Sequence, residues 1–112
     1  MRDDVYFRHI LASIERIEQY TLGINEVDFS ANFMIQDAVV RNLEIIGEAS
    51  SKISTETRDN NKIVPWREIK LMRNYIAHEY FAVDIEVVWN TVTIHLPVLK
   101  GHIQNLIKNS HR

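Results

Sequence analysis

Residues 71–81 read LMRNYIAHEYF, and four of them could do chemistry: Arg73, Asn74, His78 and Tyr80. RNA is cleaved without a metal when its own 2′-OH attacks the adjacent phosphate. That reaction needs a group that moves a proton near neutral pH, for which histidine is the suited side chain. It also needs a fixed positive donor for the phosphate oxygens, which arginine's planar fork provides. Asn74 could add a neutral hydrogen bond, and Tyr80 could position a phosphate or stack on a base. A purely structural explanation stands beside this one, because Arg and His near a helix C-terminus also interact well with the helix dipole.

Spacing constrains the chemical reading. At about 100° per residue, Arg73 and His78 lie roughly 140° apart around an ideal helix, while Arg73 and Tyr80 are nearly aligned. One regular helix does not converge the first pair. Either the helix ends near His78 and turns it inward, or two copies of the motif meet across a symmetric dimer.

Other chemistries find little support. The five histidines (His9, His78, His95, His102 and His111) form neither HExxH nor a compact His/Asp cluster. His95 and His102 share a helix face, but Pro97 lies between them. No structural metal and no cofactor are expected. GxGxxG, GxxxxGK[ST] and a serine nucleophile elbow are absent. With no cysteines, disulfide and thiolate chemistry are excluded. A formal net charge of −2 argues against a general DNA coater but leaves room for a local basic site. The N-terminus MRDDVYFRHI carries acids where a signal peptide needs a positive segment, and no apolar run reaches membrane-spanning length. The expectation is one soluble, cytoplasmic domain over residues 1–112, with no membrane contact.

The elements that must position these residues are helical almost throughout. There are only 3 Gly and 2 Pro, and apolar residues recur at three- and four-residue steps. A first helix is predicted over about Asp3–Tyr20, with Phe7, Ile10, Ile14 and Ile17 inward. A second is predicted over about Ser30–Ile53, with an apolar stripe from Ile35 to Ile53 and a charged stripe of Asp37, Arg41, Glu44, Glu48 and Lys52. On that stripe the pairs Asp37–Arg41 and Glu48–Lys52 have favourable i,i+4 order. Gly47 in mid-helix costs about 1 kcal/mol relative to Ala, which a close helix–helix approach would explain. STETRDNNKI reads as a connection with at most one helical turn. Pro65 suits the first position of a third helix. Asp84 should cap a fourth, which Pro97 should kink or divide, and the tail NSHR should fray. The fold class is all-α, an antiparallel four- to five-helix bundle.

The chain resembles the HEPN superfamily, specifically its small HepT-like branch. The branch motif R-x4-H-x-Y is matched by Arg73, His78 and Tyr80, with Asn74 as the polar residue after the arginine. The stretches DAVVRNLEIIGEAS, PWREIKLMRNYIAHEYF and VDIEVVW resemble the branch's second-, third- and fourth-helix segments in the same order. The resemblance implies a homodimeric bundle and a metal-independent endoribonuclease acting on tRNA or mRNA. It implies a toxin paired with a minimal nucleotidyltransferase antitoxin, as in type VII-like pairs. By position, Arg73 and His78 would be catalytic and Asn74 auxiliary. Tyr80 would accept AMP from the antitoxin, adding bulk and negative charge beside the catalytic pair. Arg67 and Lys70, with Arg41 if the charged face of the second helix lines the cleft, would bind RNA. The alternative is a non-catalytic helical dimer that binds a nucleotidyltransferase partner or a nucleotide.

Overall fold

A computed structural model describes residues 2–79 and 82–110. The helices are α1 (Arg2–Thr21), α2 (Glu26–Ala31), α3 (Phe33–Ser51), α4 (Thr55–Asn60), α5 (Trp66–His78), α6 (Ile85–Asn90) and α7 (Leu96–Asn109). A π-helical turn, Thr91–His95, joins α6 to α7. No strand occurs among the described residues. None of these helices is long and apolar enough to cross a membrane.

Side-chain bonds fix the directions of the bundle. Asp3 at the start of α1 accepts from Ser54 just past the end of α3, so these two helices run antiparallel. Lys100 early in α7 donates to Glu18 late in α1 at 2.9 Å, and Ser110 after α7 donates to Asp4 at 3.0 Å, so α7 also opposes α1. α5 packs on α3 and α7 on α1. The expected stripes meet in the middle: Phe7, Ile10, Ile14 and Ile17 face Val39, Leu43 and Ile46. Ile76 and the stripe Val88, Val92, Leu96, Leu99, Ile103 and Leu106 close the core. Each such side chain contributes about 1.5–3 kcal/mol by leaving water.

Two local features depart from expectation, and a third bears one out. First, α2 falls where only a connection was read. Asn25 accepts from the Asp28 N–H at 2.8 Å and Asp28 accepts from the Asn25 N–H at 3.2 Å, a full capping box. Phe29 of this helix is fully buried, with its ring 5.1 Å from that of Trp89. Asn32 then ends α2 and caps α3, accepting from Ile35 N–H at 3.0 Å, so α3 starts at Phe33 rather than near Ser30.

Second, STETRDNNKI contains α4. Ser54 caps it, and the buried Asp3 carboxylate accepts from the Ser54 N–H at 3.0 Å, the Ser54 hydroxyl at 2.7 Å and the Thr57 hydroxyl. Burial pushes the Asp3 carboxyl up, but these bonds and the nearby Arg58 charge outweigh it and hold the group below its ordinary value of 3.8.

Third, Pro97 divides the last helix through the π-helical turn. Proline has no N–H and its ring crowds the carbonyl four residues back. The backbone widens just before it, with Leu96 N–H bonding Thr91 O. Val92, Leu96, Leu99, Ile103 and Leu106 are buried at the ordinary helical period, while His95 is exposed and His102 half-buried beside that stripe. The tail is ordered further than expected: α7 continues to Asn109 and Ser110 is hydrogen-bonded. Pro65 precedes α5 rather than occupying its first position.

Candidate functional site

α5 carries the motif. Trp66, Ile69, Met72 and Ile76 turn toward the core, and the helix stays regular to its end, where Glu79 N–H bonds Tyr75 O at 2.9 Å. Beyond it, Asp84 N–H donates to the Tyr75 hydroxyl at 2.8 Å, which ties the start of α6 back to α5. Asp84 caps α6 as expected, accepting from Glu86 N–H at 2.9 Å.

Arg73 is seated on Gly47. A Cβ built at position 47 would lie 2.6 Å from Arg73 Cβ and 2.8 Å from its Cγ. The absent side chain on α3 is therefore filled by the arginine's stem, the close helix–helix approach that Gly47 suggested. The Arg73 guanidinium donates from Nη1 to Glu48 Oε2 at 3.3 Å. Neither expected i,i+4 pair of α3 closes to ion-pair distance among the described residues, and Glu48 reaches across to Arg73 rather than to Lys52. With Glu48 65% exposed, this pair holds Arg73 only weakly.

Arg73 borders two grooves, one on either side of its seat. The larger, about 780 Å³, runs between the end of α3, α4 and the first half of α5. Asn74, Lys70 and Arg67 line it with Arg73, joined by Arg58 of α4 and the indole of Trp66. The smaller, about 510 Å³, lies over α1 and α3 and includes Tyr6, His9, Arg41 and Glu44. Arg41 thus lies on the other side from Arg67 and Lys70, with Arg73 common to both grooves.

His78 is exposed on the last turn of α5 and lines neither groove. Because α5 is regular through His78, the histidine stands about 7.5 Å further along the axis than Arg73 and about 140° around it. α5 does end at His78, but the side chain is exposed and not turned inward. Tyr80 lies outside the described residues. No group of three or more His, Asp or Glu side chains placed to hold a metal ion occurs among the described residues.

Four contributors to this region escaped the sequence reading as site residues. Gly47 and Glu48 were visible as an odd glycine and a surface charge, but their partner lies 25 or more residues away. Arg58 sat in a segment read as a loop, and Trp66 was assigned no role in the site. For Gly47 the helix-breaking cost was the signal, whereas Arg58 and Trp66 had none.

Known proteins bear on this arrangement. The family model described as "Ribonuclease HepT-like" matches residues 10–106. The chain is 43% identical over 103 residues to "Probable ribonuclease HepT" of Thermococcus cleftensis, covering 92% of this chain and 94% of that one. It is 42% identical over 110 residues to "Gamma-glutamylcyclotransferase and putative RNase MJ0434" of Methanocaldococcus jannaschii, covering 96% of this chain. The chain spans only 50% of the length of that relative. No solved structure matches the chain. A match that runs from α1 through α7 takes in the Gly47 seat, Arg73 and His78 together, and with it the chain belongs to the HepT-like ribonuclease family, the branch of the HEPN superfamily that its motif resembles.

Proposed function

We propose that this chain is a metal-independent endoribonuclease that cleaves RNA with Arg73 and His78, each cleft being completed by a second copy of the chain. The observation that carries the reading is the setting of Arg73: its stem is fixed on Gly47 at the edge of a groove lined by cations. Such a guanidinium is a preorganised donor for the oxygens of a phosphate. In the reaction, the 2′-oxygen attacks the neighbouring phosphorus while its proton passes to a base. The bond to the 5′-oxygen breaks, and that oxygen is protonated as it leaves. The products are a 2′,3′-cyclic phosphate and a 5′-hydroxyl. His78 moves the proton, Arg73 neutralises the charge that builds on the non-bridging oxygens, and Asn74 adds a neutral hydrogen bond.

The separation of the pair on α5 supports a dimer. Arg73 of one copy and His78 of the other meet across a two-fold axis more readily than the two residues of one helix do. The chain acts as the toxin of a pair, and a minimal nucleotidyltransferase neutralises it by transferring AMP to Tyr80. Two residues from His78 in sequence, that addition places bulk and negative charge where the substrate phosphate must enter.

The test uses purified protein and RNA in EDTA. Cleavage leaving 2′,3′-cyclic phosphate is expected. Arg73→Ala should slow it about 10²–10³-fold, and His78→Ala about 10²–10⁴-fold, with folding and dimerisation intact. Full activity in both variants would sink the assignment. Intact mass of protein made with and without the nucleotidyltransferase reads the control step, with a gain of AMP mapping to Tyr80.

A further inference from the structure

The groove between α3, α4 and α5 has a composition that the cleavage chemistry does not require. Arg58, Arg67, Lys70 and Arg73 line it and no carboxylate does, in a chain whose net charge is −2; among the described residues, the one carboxylate paired with these cations is the exposed Glu48, which reaches Arg73 from the other groove. Arg67, Lys70 and Arg73 follow one another at three-residue steps, so they climb the α5 wall at about 4.5 Å per step. Arg58 faces them from α4. No side chain caps the first turn of α5, which lies at the far end of this wall. On the α3 side, Ser50 is only 6% exposed and its hydroxyl has no hydrogen-bond partner. A buried hydroxyl without a partner is costly unless something supplies one. Trp66 completes the wall, with its ring held in place because Nε1 donates to Asn61 O at 3.0 Å.

Charge alone would draw any polyanion to this groove. The fixed indole narrows the choice, since a flat aromatic face in a cationic channel suits a base that is free to leave its stack. A duplex offers no such base along its length. We propose that this groove binds single-stranded RNA flanking the cleaved phosphate, with Lys70, Arg67 and Arg58 on successive phosphates beyond Arg73 and one base stacked on Trp66. The strand then runs along α5 from the reaction site toward Pro65. This rests on the ribonuclease reading and extends it to where the uncut strand lies and in what form it is taken.

The test separates the two claims. The His78→Ala protein is mixed with a fluorescein-labelled single-stranded RNA 10-mer, its duplex, or poly-glutamate, and anisotropy is followed against KCl. The single strand should bind with a log–log salt slope of about −3, from four phosphate contacts at about 0.7 each. Adding Arg58→Ala, Arg67→Ala and Lys70→Ala should flatten the slope by about 2 and weaken binding at least tenfold at low salt. Should that variant lose its helical circular dichroism, the exposed pair Arg67→Glu and Lys70→Glu serves the same purpose. Tryptophan emission should fall on binding, and Trp66→Phe should abolish the fall while leaving the Trp89 signal. An unchanged slope in the charge variants would overturn the proposal. So would duplex or poly-glutamate binding as tightly as the single strand with no quenching at Trp66. If wild type cleaves RNA, and the charge substitutions leave binding unchanged in the His78→Ala protein and cleavage unchanged when made with His78 intact, the groove is wrong and the ribonuclease stands. If wild type cleaves nothing while the single strand binds as described, the groove stands without the ribonuclease.

Discussion

At Gly47 a substitution that ordinarily stabilises a helix should do the reverse. Replacing a mid-helix glycine by alanine removes an entropic cost of about 1 kcal/mol. Here the new methyl meets Arg73 Cβ and Cγ, atoms at the root of a side chain that cannot swing aside. Gly47→Ala should therefore lower the unfolding midpoint, because forcing extra volume into a packed contact costs about 1–3 kcal/mol. Gly101 is the control: it lies in α7, is exposed, and a Cβ there meets nothing within 4 Å. Gly101→Ala should stabilise by about 0.5–1 kcal/mol. Urea denaturation of the two variants checks both signs. In the proposed reaction, displacing Arg73 should also slow cleavage by Gly47→Ala, whereas Gly101→Ala should leave it unchanged.

Among the elements, α4 depends on α1. Six residues are too few to hold a helix alone, and α4 buries none of its own side chains. Its N-cap Ser54 and its Thr57 are instead hydrogen-bonded to Asp3, and this anchor fixes the helix that brings Arg58 to the groove. The lowered Asp3 pKa makes the anchor sensitive to acid. The folded state binds this proton less readily than the unfolded chain does, so the stabilisation is complete above the ordinary value of 3.8. It drains as pH falls from there through the lowered folded value. Asp3→Asn keeps the shape but replaces the charged Oδ2 that accepts from the Ser54 and Thr57 hydroxyls with an NH2 donor, at a cost of about 1–3 kcal/mol at pH 7. Thermal unfolding from pH 7 to pH 2 should show the variant less stable at neutral pH. Below pH 4 wild type should fall more steeply and the difference should shrink. Parallel curves over the whole range would show that Asp3 carries none of the acid sensitivity.

For the whole molecule, the position of His78 makes a prediction about symmetry. The proposed composite cleft would take Arg73 from one copy and His78 from the other, so in the proposed homodimer each single variant would lose both clefts. When Arg73→Ala and His78→Ala proteins are mixed and allowed to exchange partners, each mixed dimer has one doubly damaged cleft and one intact cleft. About half the dimers are mixed, so activity should recover to about a quarter of wild type. Were each chain to use its own pair, mixing two inactive proteins would restore nothing. The same measurement at increasing dilution should show activity falling as dimers part.

How much of this was readable before folding depends on the range of the interaction. Apolar residues at helical steps are a local pattern, and α1, α3 and α5 follow it, as do the Asp84 cap and the break before Pro97. Arg73, Asn74 and His78 were legible as a motif because their spacing lies within one turn or two of a single helix. The α2 capping box, Asn25 with Asp28, was also written locally and shows that a short helix is overlooked when it buries a single residue, Phe29. What followed only from tertiary structure lies between helices. That Gly47 seats Arg73, that Arg58 and Trp66 share a groove with Arg67 and Lys70, and that Arg41 stands on the other side all depend on which residues face each other across α3, α4 and α5. Packing likewise decided that Leu96 and Ile103 lie in the buried stripe while their neighbours His95 and His102 lie at its edge. Helical periodicity specifies which face is buried, while the contacts across that face are decided by packing between segments far apart in the chain.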